Sequence, residues 1–265
     1  MTGAKQTKLF FADPPGSIVE KTQITGVTFI RQSAGYCGPA SLAMALNWAG
    51  SSVEVEDIQA QVYSQNQKGS LQGDMISASR RNGMMAVTIH GLTALLRELE
   101  AGHPVIIFEN LGLSWIPQYH YAIVFGYDLK QRIFILHSGP DAFKTEDMAV
   151  FELSWHLADY WGLVVLPPGE LAVSADELSH ASAAASLENL GKMAEAEKAY
   201  FSILKKWPTS LSSLIGLGNV FYFKKDFKNS VFYLKKAIEV APTSEAARHN
   251  LEIAQKAMNG AREVR

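Results

Sequence analysis

Residues 32–42 read Gln32-Ser33-Ala34-Gly35-Tyr36-Cys37-Gly38-Pro39-Ala40-Ser41-Leu42. Proline is favoured in the first turn of a helix, where its missing N–H is not needed and its φ is preset. The spacing therefore predicts a helix over Gly38 to Trp48, ending at Gly50-Ser51-Ser52, with Cys37 at its N-terminus. Unpaired N–H groups and the positive end of the helix dipole face a sulfur placed there and favour thiolate over thiol. Gln32, five residues upstream, can turn its amide N–H toward an oxygen beside that sulfur. A nucleophile with a donor where negative charge develops is what acyl transfer needs. The plain alternative is a small buried hydrophobe, the usual role of a solitary cysteine. Cys37 is the single cysteine of 265 residues, which excludes an intrachain disulfide and a multi-cysteine metal cluster.

Working outward, further helices are expected near Val55, over Asp74 to Asn82, over Thr93 to Glu100 and over Ser154 to Tyr160. Runs rich in Val, Ile, Phe and Tyr, bounded by Gly, Pro or Asp, read as strands. They cover Ala86–Ile89, Pro104–Phe108, Tyr121–Tyr127, Arg132–Leu136 and Gly162–Leu166. Helices first and an antiparallel set of strands after them predict an α+β domain over residues 17–168. Apolar residues make up 48% of the chain and charged ones 19%, enough to bury a core. The net charge of -2 gives no electrostatic ground for a nucleic acid or an anionic membrane as partner. No apolar run reaches the length of a bilayer span.

Pro167-Pro168-Gly169 stops the last strand, and 169–176 reads as a linker. Beyond it the period is helical and the chain repeats: Pro208-Thr209-Ser210 returns as Pro242-Thr243-Ser244, 34 residues on. Within 211–244, Leu214, Leu217, Gly218, Phe221, Ser230, Leu234, Ala237 and Pro242 resemble the tetratricopeptide pattern, with small residues where helices cross closely. Residues 177–210 hold a weaker copy at Ala184, Leu187, Ala196, Tyr200, Ile203 and Pro208. Residues 245–265, with Glu252 at a small-residue position, read as a capping helix. By analogy of fold, such a domain offers a concave face to a protein partner.

Of seven histidines, His120 is the best placed base, because it opens the apolar strand His120-Tyr121-Ala122-Ile123-Val124-Phe125-Gly126-Tyr127-Asp128. Gln-x4-Cys-Gly-Pro-Ala-x-Leu, Gly-His-Pro-Val-Ile and His-Tyr-Ala-Ile-Val-x-Gly-Tyr-Asp, in that order from about Ile24 to Leu166, resemble the papain-like peptidases that include the double-glycine leader (bacteriocin-processing) peptidases. The likeness is nearest to stand-alone members that carry tetratricopeptide repeats. It implies Cys37 as nucleophile, His120 as base and acid, and Gln32 with the backbone N–H of Cys37 as oxyanion donors. The third position departs from the family, where an Asp ends the next strand and orients the imidazole. Here His137-Ser138-Gly139-Pro140-Asp141 puts His137 at that place by position, with Asp141 as the alternative. The expected activity is hydrolysis of a peptide or protein substrate without metal or cofactor. The competing readings are a catalytically silent peptide binder and a scaffold working through its repeats. Members of this architecture are often exported to the bacterial cell envelope; residues 1–8 carry no apolar core of a signal peptide, so the expected location is the envelope or periplasm if a leader has been removed and the cytoplasm otherwise.

Overall fold

The computed structural model describes residues 4–16, 18–32 and 35–263. Ser17, at the expected domain boundary, Ser33 and Ala34 of the quoted motif, and residues 264–265 of the expected cap lie outside that set.

The chain folds as two compact units, Met1–Pro167 with Ala172–Ala175 and Pro168–Leu171 with Asp176–Arg265, which divide the expected linker between them. In the first unit the strand-like runs form one antiparallel sheet. Its order is β4 (Met85–His90), β9 (Trp161–Leu166), β5 (Val105–Asn110), β6 (Tyr119–Asp128), β7 (Ile133–Ser138) and β8 (Asp141–Asp147). Short β1 (Lys21–Gln23) pairs with the far half of β6, at Gly126 to Asp128, beyond the last residue of β6 that pairs with β5. One face of the sheet carries α2 (Cys37–Trp48), whose buried Leu42, Met44 and Leu46 pack with Tyr121, Ile123, Phe125 and Ile106. Beside α2 lie α3 (Val55–Val62), α4 (Gln72–Arg81) and the hairpin β2 (Tyr63–Ser64) to β3 (Gly69–Ser70). α5 (Leu92–Glu100) packs against β4, β5 and β6, and α6 (Met148–His156) against β5, β7 and β8, while α1 (Lys5–Ala12) lies on α5 and α6, held where Glu152 accepts hydrogen bonds from the N–H groups of Gln6 and Thr7.

The helix expected over Ser154 to Tyr160 lies instead at Met148–His156. Asp147 fixes its start by accepting from the N–H groups of Ala149 and Val150 at 2.8 and 3.1 Å. Asp159 and Tyr160, at φ 57° and 53°, have already left it. Strand β8 was invisible to the hydropathy pattern, because it pairs with β7 alone, at the sheet edge, and carries mostly exposed polar residues.

The second unit is built from α7 (Glu177–Asn189), α8 (Met193–Lys206), α9 (Leu211–Phe223), α10 (Phe227–Val240) and α11 (Glu245–Glu263). Odd-numbered helices start at intervals of 34 residues, as do α8 and α10. Asp176, Ser210 and Asp226 cap α7, α9 and α10 through side-chain oxygens, each accepting an N–H three residues on. Close crossing of α8 and α9 depends on Gly216: a Cβ there would meet the Tyr200 ring at 2.2 Å. Gly216→Ala should therefore destabilise the fold by about 1–3 kcal/mol through overpacking. Gly260→Ala, with nothing within 4 Å of the new carbon, should be neutral or gain up to about 1 kcal/mol of helix propensity. Urea unfolding followed by circular dichroism separates the two; equal effects would contradict the packing account.

Candidate active site

Helix α2 begins at Cys37, with Gly38 and Pro39 in its first turn. Gly38 lets that turn sit against β3, since a Cβ there would fall 2.5 Å from Ser70 Oγ. The loop before the helix is clamped through Gln32. Its N–H donates to the Gly139 carbonyl at 3.1 Å, its Oε1 accepts from the Gly139 N–H at 2.8 Å, and its Nε2 donates to Ser41 Oγ at 3.1 Å. The second Nε2 proton stays available to the cleft. Gln32, Cys37 and His120 all line one cleft of about 770 Å³, walled also by Gly35, Tyr119 and Pro140.

His120 Nε2 lies 2.9 Å from Ser138 Oγ. Its Nδ1 carries no hydrogen bond among the described residues, and none joins it to Cys37, so that nitrogen is left to the cleft. His137 is elsewhere, and its assignment as the orienting residue is corrected. Nε2 of His137 faces the Val27 carbonyl at 3.0 Å, and Nδ1 accepts from the Phe143 N–H at 3.2 Å. The ring is fully buried against Phe29, Phe125 and Phe143. Strand parity is the cause. Ile123 pairs with His137, so His137 shares the α2 face with Ile123, while Ser138 shares the opposite face with His120. Asp141 opens β8 opposite Ser138, is exposed, and hydrogen-bonds to neither histidine.

Electrostatics also revises one expectation. Burial pushes the Cys37 thiol up; the backbone N–H groups of Tyr121, Gly38 and Cys37 itself pull it down, and Glu109 adds a smaller upward push. Burial wins, so the low-pKa thiolate expected from the helix start is not the resting form. His120 is lowered to about 4, first by burial and then by Lys144. At neutral pH the site rests as thiol and neutral imidazole. Among the described residues, no group of three or more His, Cys, Asp or Glu is placed to hold a metal ion. No described helix is long and apolar enough to cross a membrane.

A helix led by a cysteine and laid on an antiparallel sheet, with a histidine at a strand mouth in the same cleft, is the papain-like design of cysteine peptidases. Residues 24–162, just over half of the chain, match the Peptidase_C39 like family, and the chain belongs to that family. Among solved structures it is similar to a Bacillus anthracis protein described as a C39-like peptidase, at 19% identity and a TM-score of 0.48, over 56% of this chain and 98% of that one. A double glycine motif protease from an AMS/PCAT transporter, solved with the leader peptide, matches at 22% and 0.41, over 54% and 96%. The peptidase domain of Streptococcus ComA, a bi-functional ABC transporter of a quorum-sensing pathway, matches at 18% and 0.44, over 54% and 99%. At these identities and scores no activity is carried over from them. No curated protein matches the chain.

Ser138, at hydrogen-bond distance from His120, and Glu109, the ladder neighbour of His120, escaped the sequence reading. Alternation along the strand could have found Ser138; Glu109 is legible only once the register of β5 and β6 is known.

Two outcomes test this geometry. Alkylation of Cys37 by iodoacetamide should rise with pH along a curve displaced to higher pH than that of an ordinary thiol, and a plateau already reached below pH 7 would contradict the buried-thiol account. His137→Ala should cost about 2–4 kcal/mol of stability, as for a large buried ring, while leaving that alkylation curve unchanged. A shifted curve in a stable variant would return His137 to the site.

Proposed function

We propose that this protein is a cysteine peptidase in which Cys37, His120 and Gln32 cleave a peptide bond through a thioester. The observation that carries this reading is the shared cleft: the thiol at a helix start, an imidazole with a free Nδ1 and an anchored amide donor all face it.

The resting charges set the order of events. As Cys37 Sγ forms its bond to the substrate carbonyl carbon, its proton passes to His120 and the carbonyl electron pair moves onto oxygen. The Gln32 amide and the backbone N–H of Cys37 receive that oxyanion. The C–N bond then breaks, the imidazolium gives its proton to the departing nitrogen, and an acyl thioester remains. Water, losing a proton to His120, attacks the thioester; the C–S bond breaks and the thiol is restored. Ser138 holds the imidazole in place of the family carboxylate. Its hydroxyl can donate or accept, so it fixes the ring without choosing the tautomer.

Residues 177–265 are read as two tetratricopeptide repeats, 177–210 and 211–244, with a cap, recruiting a protein substrate or partner to their concave face. The 34-residue spacing of helix starts supports this. The second reading is a peptide-binding protein that uses the same cleft without turnover; the raised thiol and the missing third carboxylate favour it.

Incubating the full chain with an unbiased peptide library and reading products by mass spectrometry distinguishes the two. Peptidase action predicts cleavage by the native chain, with losses of at least about a thousandfold in Cys37→Ala and His120→Ala. Binding without products, unaffected by Cys37→Ala, would establish the silent reading. Deleting residues 177–265 should lower cleavage of a native protein substrate far more than alkylation of Cys37; equal losses would make the helices mere support.

A further inference from the structure

Opposite His120 in the antiparallel ladder of β5 and β6 stands Glu109. Directly facing residues project from the same side of a sheet with Cβ atoms about 4.5–5.5 Å apart. Glu109 is 1% exposed. Its Oε2 accepts from Ser154 Oγ at 2.7 Å, whereas its Oε1 is buried with no hydrogen-bond partner. An unsatisfied buried carboxylate oxygen costs stability, which calls for a reason for its retention. Among the described residues Glu109 makes no salt bridge, so an ion pair does not account for it.

We propose that Glu109 is the charge partner of His120, the positioning residue whose ionised carboxylate stabilises the imidazolium that forms as Cys37 attacks. The inference rests on the cysteine-peptidase reading and supplies the negative charge that Ser138 cannot. It acts across the ladder by Coulomb attraction in a low-dielectric site, without a hydrogen bond to the ring.

The neighbouring groups are accounted for. From β8, Lys144 and Glu146 act on Glu109 with opposite signs and pair with each other at 2.9 Å, while Lys144 also disfavours charge on His120, so the imidazolium needs a compensating anion. From α2, Cys37 feels Glu109 as a repulsive charge. From α6 comes the uncharged Ser154, while the Glu152 of that helix is taken up by the N–H groups of Gln6 and Thr7. Burial raises Glu109 to about 7, and the Ser154 hydrogen bond opposes this. The carboxyl is therefore protonated in mildly acid solution and gains its charge as pH passes through neutrality. Because its proton is lost there, assistance to His120 switches on in the same range.

The test compares the full chain with Glu109→Gln, which keeps the volume and an acceptor for Ser154, and with Glu109→Asp. Peptide cleavage is followed from pH 5.5 to 8.5. The ratio of kcat between the native chain and Glu109→Gln should be near one at pH 5.5 and reach about tenfold or more at pH 8, with KM unchanged. Glu109→Asp should recover part of the alkaline gain. A ratio that stays constant with pH, or a Glu109→Gln profile identical to the native one, overturns the proposal while leaving the peptidase reading intact. Should the native chain cleave nothing, the peptidase reading fails, and NMR of the His120 ring decides the charge partnership alone. A step in its resonances near pH 7 that Glu109→Gln abolishes supports the partnership; the same titration in both proteins overturns it.

Discussion

Gln32 is the joint on which the site depends. Two hydrogen bonds tie it to Gly139, in the turn after the strand that supplies Ser138, and a third ties it to Ser41 inside the cysteine helix. One side chain thereby couples the helix that carries the sulfur to the hairpin that steadies the imidazole. Gln32 is 7% exposed, so loss of either contact would leave buried polar groups unpaired at a cost of about 1–3 kcal/mol each. The orientation of the amide proposed as an oxyanion donor and the docking of the helix are thus one constraint.

Much of this was legible in the residues. Gly38-Pro39 announced the helix start, and the long apolar run after His120 announced a central strand, because both signals are local and strong. The order of the sheet was not written there, since ladder neighbours such as Glu109 and His120 are set by tertiary packing. The third site position failed for a narrower reason. Counting along the chain placed His137 where a carboxylate was expected, but successive side chains on a strand point to opposite faces. A one-residue difference sent His137 into an aromatic nest and Ser138 into the site. The polar edge strand β8 escaped for want of an apolar face, and the α6 helix was displaced toward the chain start by its Asp147 cap.

Burial acts on both reactive groups in the same sense, disfavouring charge. Helix-end N–H groups oppose this for the sulfur and do not overcome it. The imidazole is buried, has the cation of Lys144 within reach and, among the described residues, has a neutral hydroxyl as its hydrogen-bond partner, so it stays neutral well into acid. In the proposed mechanism charge separation is consequently deferred to the moment of attack, and stabilisation of the developing oxyanion and imidazolium by fixed groups becomes the main lever on rate.

The protonated sulfur has a further consequence, for durability. Oxidants and stray disulfides react with thiolate far faster than with thiol. A cysteine that is held uncharged, half-covered and without a second cysteine in the chain to trap it is protected from both. The desolvation that slows its resting chemistry also keeps it from sulfenic acid, so the same packing that withholds the nucleophile preserves it.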